Sequence, residues 1–77
     1  MDKKSHIPKA ENRLRIVLAQ QRKNNKWLAD ELGVNEPTVS NWVTNKAQPR
    51  LETFYQIAFL LKVEVRKLFV PTIEKDE

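Results

Sequence analysis

The sequence has few of the residues on which disulfide frameworks, metal centres and many active sites depend. The 77-residue chain contains no cysteine, one histidine and one glycine. The absence of cysteine excludes disulfide bonds and thiolate zinc sites. The single glycine, Gly33, excludes glycine-rich loops that cradle phosphates. His6 has no recognisable nucleophile or acid–base partner, so the residues predict no enzyme, no metal site and no other cofactor.

Long hydrophobic runs are also missing. The longest, residues 57–61, is far too short to cross a bilayer, and the N-terminal residues contain no apolar stretch. We therefore expect no signal peptide, no membrane partner and a cytoplasmic location. The length predicts one domain, residues 10–70, between a polar N-terminal arm (1–9) and a C-terminal tail (71–77). A separate sensor domain has no room, so no small-molecule ligand is expected.

Positive charge is concentrated before residue 51. Fourteen basic and ten acidic residues give a net charge of +4. Residues 9–50 contain eight basic and four acidic residues, whereas residues 51–77 contain four and five. A basic surface favours a polyanion such as nucleic acid, although an ordinary solvated surface has the same composition.

Hydrophobic periodicity predicts an all-α fold, a compact bundle of five short helices. The predicted helices cover about residues 10–23, a short segment after Asn24, a segment after Asn35, and about residues 51–62 and 64–69. Asn24 and Asn35 suit helix N-caps, and Gly33 suits the left-handed residue at a helix C-terminus. The positions that follow the periodicity are Leu14, Val17, Leu18, Gln21, Leu28, Ala29, Leu32, Leu51, Phe54, Ile57, Ala58, Leu61, Val65 and Leu68.

Residues 24–42 have the pattern of a helix-turn-helix unit. Ala29 is small where two helices must cross closely, and Gly33 turns the chain between them. Val34, Val39 and Trp42 are expected to anchor the next helix on the core. The opposite face of that helix is short and polar, as a surface that contacts base edges requires. It comprises Glu36, Pro37, Ser40, Asn41 and Thr44.

Over about residues 12–69 the sequence resembles the Cro/repressor-type (XRE-like) helix-turn-helix family of bacterial and phage regulators. The matching positions are residues 28–29, 32–34, 38–40, 51–53, 57–58, 61–63 and 65–68, with Trp42, Lys46 and Pro49. The resemblance implies a sequence-specific transcriptional regulator, repressor-like, whose third helix (about 36–44) enters the major groove of double-stranded DNA. The same fold also serves as a protein-binding adaptor, for example in antitoxins, and that alternative stays open.

The resemblance also implies roles for single residues. Base contacts are implied for Glu36, Pro37 and Asn41, and Ser40 joins this group from the same face, although its hydroxyl suits a phosphate as well. Asn41 suits adenine N6 and N7. Glu36 either accepts from cytosine N4 or orients a neighbour, and Pro37 either touches a thymine methyl or only starts the helix. Phosphate contacts are expected for Asn25, Lys26, Thr38, Thr44, Lys46 and Arg50.

A homodimer on a two-fold operator is expected, because the family typically dimerises through its C-terminal part. Exposed apolar patches mark partner surfaces. The residues predicted to form this patch are Phe59, Phe69, Val70 and Ile73. The two half-sites would lie about one duplex turn apart.

Several positions depart from the family pattern. Leu18 and Val43 stand where many members pair an arginine with a glutamate, which predicts a hydrophobic contact between the first and third helices. Asn45 replaces a usual glycine but tolerates the left-handed conformation. Arg50 replaces a serine N-cap of the fourth helix. Trp42 is assigned to the core and Trp27 to the core edge, with the sugar-phosphate backbone as the other possibility for Trp27.

Overall fold

The computed structural model describes residues 10–71, which contain four α-helices and one 3-10 helix. The helices are α1 (Leu14–Gln20), α2 (Asn25–Leu32), α3 (Glu36–Val43) and α4 (Leu51–Leu61), followed by the 3-10 helix Val65–Leu68. These residues contain no strand beyond an isolated antiparallel bridge between Asn12 and Phe69. The all-α prediction is confirmed. His6 and Ile73 lie outside the described residues, and the proposed arm and tail boundaries stay predictions.

The first and last helices are shorter than the periodicity predicted. α1 begins at Leu14, not Ala10, because Asn12 pairs with Phe69 and its side-chain Oδ1 accepts a hydrogen bond from the Leu14 amide (2.9 Å). It ends at Gln20, two residues before Arg22 takes a left-handed φ of 58°. The segment predicted as a fifth helix is a four-residue 3-10 turn, the tighter form common in short connections.

The core is built from one stripe of each helix. Its buried apolar side chains are Leu14, Val17, Leu18, Leu28, Ala29, Val39, Trp42, Phe54, Ile57, Ala58, Leu61 and Leu68. Pro49, in the loop before α4, is buried as well. Trp42 is therefore a core residue, as predicted. Trp27 is half-buried against this cluster, which confirms its place at the core edge. Leu18 is buried and Val43 is packed against the same cluster, so apolar side chains fill both positions that depart from the family pattern.

Two residues predicted to be buried are not. Leu51 is 65% exposed because it is the first residue of α4, one turn before the first buried position. Val34 is 37% exposed in the turn after α2, where its backbone amide, rather than its side chain, makes the inward contact by donating to the Ala29 carbonyl (3.0 Å). Gln21 is half-buried, and its Nε2 donates to the Leu61 carbonyl (2.8 Å), which joins the ends of α1 and α4.

We predict that Leu28→Ala lowers the free energy of unfolding by about 2–5 kcal/mol, because it opens a cavity at a fully buried position. A domain of this length has only roughly 4–12 kcal/mol of stability in total. Urea denaturation measures the change. The matched control Leu51→Ala removes the same atoms from an exposed site and should change stability by less than about 0.5 kcal/mol. Equal losses in the two variants would contradict this burial pattern.

Candidate nucleic-acid interface

Gly33 sets the direction in which α3 leaves α2. Its backbone is left-handed (φ 73°, ψ 30°) at the C-terminus of α2. No atom lies within 4 Å of where a Cβ would stand, so glycine is needed for the backbone conformation and not for space. α2 and α3 then pack against each other more extensively than any other pair of elements in residues 10–71. The turn therefore holds the two helices as one unit.

Asparagine side chains start both helices of this unit, as predicted. The Oδ1 of Asn24 accepts from the Trp27 amide at 2.8 Å. The Oδ1 of Asn35 accepts from the Thr38 amide at 3.0 Å and from the Thr38 hydroxyl at 2.6 Å. Pro37 lies in the first turn of α3, where its missing N–H has no helical partner to lose. The N-terminal end of α3 is thus fixed by side-chain hydrogen bonds.

The two faces of α3 separate as predicted. Val39 and Trp42 are buried and Val43 is half-buried, whereas Asn41 and Thr44 are exposed. Glu36 and Pro37 are exposed as well, while Ser40 is half-buried and lies at the border of the polar face. Among the described residues no side chain hydrogen-bonds to the Asn41 amide, so that its donor and acceptor both face solvent.

Lys46 and Arg50 are exposed cations in the loop between α3 and α4. The loop is tied to α3 because the Asn41 carbonyl accepts from the backbone amides of Lys46 (2.9 Å) and Ala47 (3.2 Å). Arg50 is the N-cap of α4 but its side chain makes no capping hydrogen bond, as its replacement of the family serine implies. Lys46 is therefore held at the C-terminal end of α3, Arg50 lies at the start of α4, and both residues are exposed.

The other residues expected to contact phosphates differ in the contacts that they already make within the protein. Lys26 makes an exposed ion pair with Asp30 (3.2 Å), the kind of contact that contributes little to stability. Thr38 donates its hydroxyl proton to Asn35, and Thr44 donates its own to the Ser40 carbonyl (2.9 Å). Asn25, the first residue of α2, is half-buried.

Lys23 is a cation of this region that the sequence did not single out. Its Nζ lies 4.6 Å from the centroid of the Trp27 ring, a cation–π geometry. Lys23 lies just before α2, four residues ahead of Trp27. Counting charges in the sequence does not distinguish a lysine in such a contact from one that is only solvated.

A polar network centred on Asn12 was also not predicted from the sequence. Asn12 is buried, and its Nδ2 donates to the Trp42 carbonyl (3.0 Å) and to Gln48 Oε1 (2.7 Å). Its backbone amide donates to Asn45 Oδ1 (2.8 Å), and Asn45 takes a left-handed φ of 60°, as expected for its replacement of glycine. An isolated asparagine before a helix gives no sequence signal that separates a buried hub from a surface residue.

The apolar residues predicted for a dimer interface differ in how far they are exposed. Phe59 is 81% exposed on α4, and Val70 is 40% exposed. Phe69 is instead half-buried, with its ring centroid 4.7 Å from that of Phe54, so most of it belongs to the core. Ile73 lies outside the described residues.

Within residues 10–71 no three His, Cys, Asp or Glu residues lie together in an arrangement that could hold a metal ion. In the same range, every helix is too short or too polar to cross a membrane.

This architecture defines a helix-turn-helix domain. The chain belongs to the Cro/repressor-type (XRE) helix-turn-helix family, whose sequence model matches residues 14–68, and it is a domain of that kind rather than an enzyme. A crystal structure of a protein from Bacteroides fragilis, to which DNA binding is ascribed, is similar at 40% sequence identity and a TM-score of 0.79. The similarity covers 80% of this chain and 100% of that one. No curated protein matches the sequence significantly.

We predict that Asn35→Ala lowers the free energy of unfolding by about 1 kcal/mol, because the α3 N-terminus loses its side-chain acceptor. In a domain of this size the melting temperature should fall by roughly 4–8 °C. Circular dichroism during heating measures it. Asn41→Ala is the control. It also replaces an exposed asparagine with alanine, but at a position within α3 that caps nothing, and it should not lower the melting temperature. A fall of equal size in both variants would contradict the cap.

Proposed function

We propose that this protein is a sequence-specific transcriptional regulator that binds double-stranded DNA by placing α3 in the major groove. The observation that carries the proposal is the polar, solvent-facing side of α3, whose other side is locked into the core. Membership of the helix-turn-helix family, and similarity to a protein to which DNA binding is ascribed, support DNA as the partner.

The dimensions of α3 suit a groove. An α-helix with its side chains is about 10–12 Å across, and the major groove, about 12 Å wide, admits one such helix. The exposed side chains are short and none is a bulky aliphatic, so the helix backbone can approach the base edges closely. Its N-terminal turn carries Glu36 and Pro37, and its last turns carry Asn41.

Asn41 is proposed as the principal base-contacting residue. Its unoccupied amide can donate to and accept from one adenine at N6 and N7. Glu36 is proposed to accept from cytosine N4, although an acidic residue in the first turn also stabilises the helix directly. Pro37 offers methylene groups to a thymine methyl. Ser40, half-buried at the border of the face, is proposed as a weaker contact.

Lys46 and Arg50 are proposed as the principal phosphate contacts, because their charged groups have no partner in residues 10–71 and their loop is tied to α3. Lys26 would exchange its carboxylate for a phosphate, since an exposed pair costs little to break. Asn25 at the start of α2, together with Thr38 and Thr44, completes the proposed set. The two threonines must give up an internal hydrogen bond to donate to DNA.

We predict opposite signatures for a base contact and a phosphate contact. Asn41→Ala should remove roughly 1–3 kcal/mol of preference at one base position, while leaving affinity for other sequences nearly unchanged. Lys46→Ala should weaken binding to all sequences alike and lower the slope of log K against log salt concentration by about 1. Selection from a random duplex library, then fluorescence anisotropy at several salt concentrations, measures both.

A control variant removes the same charge elsewhere. Lys67 lies on the 3-10 helix, which packs chiefly against α4 and α1, so Lys67→Ala should leave the salt slope as it is in the wild type. Binding to duplex DNA without any salt dependence, or no binding, would overturn the proposal in favour of the protein-binding adaptor.

We further propose that the protein acts as a homodimer on a two-fold operator, with half-sites about 34 Å apart. Phe59 supports this, since a phenylalanine that exposes 81% of its surface is costly to leave in water. Val70 is a second exposed apolar side chain, Phe69 is half-buried and adds the exposed part of its ring, and Ile73 is included on the sequence alone.

We predict that Phe59→Ser weakens self-association and operator binding together, because it removes the most exposed apolar side chain among residues 10–71. Sedimentation velocity with and without operator DNA measures the change. Ile16→Ser, at another exposed apolar position, on α1, is the control and should alter neither. A wild-type protein that stays monomeric at high micromolar concentration, both alone and on its operator, would remove the dimer.

A further inference from the structure

We propose that Asn12 is a positioning residue for DNA binding, which acts through Asn45 and Gln48 to hold the loop that presents Lys46 and Arg50. This inference rests on the proposed DNA binding, and it adds a residue that lies before α1 and is itself buried. We call these three side chains, Asn12, Asn45 and Gln48, the asparagine lock.

Asn12 uses every hydrogen-bonding group of its side-chain amide. Its Oδ1 accepts from the Leu14 amide (2.9 Å), and its Nδ2 donates to the Trp42 carbonyl (3.0 Å) and to Gln48 Oε1 (2.7 Å). It is 6% exposed and is the only buried polar residue in the described part of the chain. A buried polar group with every partner in place fixes one arrangement, because any displacement leaves donors or acceptors unpaired.

The bonds of Asn12 join segments that are far apart in the sequence. Its backbone amide donates to Asn45 Oδ1 (2.8 Å), and its carbonyl accepts from Asn45 Nδ2 (3.2 Å). Gln48 Nε2 closes the lock by donating to Asn45 Oδ1 (2.8 Å) and to the Ala10 carbonyl (3.1 Å). The chain before α1 is therefore bound to the loop between α3 and α4 at two points, residues 45 and 48.

Lys46 and Arg50 are placed by this same loop. Lys46 directly follows Asn45, and Arg50 lies two residues after Gln48. Residues 44–50 form no helix. Their backbone amides donate to α3, from Thr44 to the Ser40 carbonyl, from Asn45 to the Trp42 carbonyl, and from Lys46 and Ala47 to the Asn41 carbonyl, while the Arg50 carbonyl accepts from the Phe54 amide of α4. The asparagine lock thus supplies all the side-chain hydrogen bonds that hold residues 45–50 to the rest of the described chain.

Fixing the loop in advance has a consequence for binding. A loop that is free before binding loses conformational freedom when its cations settle on phosphates, and that loss weakens the complex. A loop already held by the lock avoids it. Loss of the lock should therefore remove phosphate contacts, whereas loss of ordinary core packing should lower stability without changing how many phosphates are contacted.

The test uses the full chain and random-sequence duplex DNA, with Asn45→Gly as the main variant. Glycine adopts a φ of 60° readily, so this change removes the side-chain bonds to Asn12 while suiting the backbone. Gln48→Ala and Asn12→Ala remove the other members, and Asn45→Gly keeps the test decisive if Asn12→Ala fails to fold. Val17→Ala is the control, because it lowers stability from a buried position on α1 without touching the lock.

The lock variants should lower the slope of log K against log salt concentration by about 1–2, because one or two phosphate contacts are lost. Their deficit relative to the wild type should accordingly shrink by about 3–12-fold between 50 and 200 mM salt. Lys46→Ala should cost less in the Asn45→Gly background than in the wild type, since the two changes act on the same contact. Val17→Ala should keep the wild-type slope.

Two outcomes would overturn the inference in distinguishable ways. If the wild type binds and Lys46→Ala lowers the slope, but Asn45→Gly and Gln48→Ala keep it and add independently to Lys46→Ala, the lock has only a structural role. If the wild-type protein shows no salt-dependent binding to duplex DNA, the proposed function itself fails, whatever the lock variants do.

Discussion

The burial of Val39 and Trp42 is the constraint on which the rest of this structure depends. α3 has eight residues, too few to be stably helical alone, so its conformation comes from tertiary packing. Burying those two side chains also fixes how α3 is rotated about its axis. Successive residues of a helix are rotated by about 100° about its axis. Asn41 is therefore turned away from both buried residues and faces solvent. The polar face proposed to contact DNA is therefore the side of α3 that core packing leaves exposed.

Trp42 links that packing to the polar loop beside it. Its side chain lies in the core, while its carbonyl accepts from the buried amide of Asn12. The C-terminal end of α3 is therefore held from both directions, by apolar burial and by a hydrogen bond of defined geometry. Since the Asn41 carbonyl also accepts the amides of Lys46 and Ala47, the polar face of α3 and the backbone of Lys46 are held in a fixed relation to each other.

The features predictable from the sequence are those set by neighbouring residues. Asn24, Gly33 and Asn35 cap or turn the chain within three residues of themselves, and the faces of α3 follow from its period. Periodicity wrongly predicted that Leu51 is buried. It shows which side of a helix faces the core, but not how far along the helix the neighbouring elements reach. The partners of Asn12 in α3 and the loop after it lie 30 to 36 residues away, a separation at which a single sequence carries no pairing signal.

Two departures from the family pattern gain a common explanation from this arrangement. Many members pair an arginine with a glutamate where Leu18 and Val43 pack on this core, and replacing a buried ion pair with apolar groups is often neutral or stabilising. Apolar contacts carry little direction, however, so they hold helices together without specifying one register. Asn12 supplies directional bonds at the same junction of α1 with α3. With asparagine at position 45, where the family usually has glycine, the loop gains a side chain through which those bonds reach it.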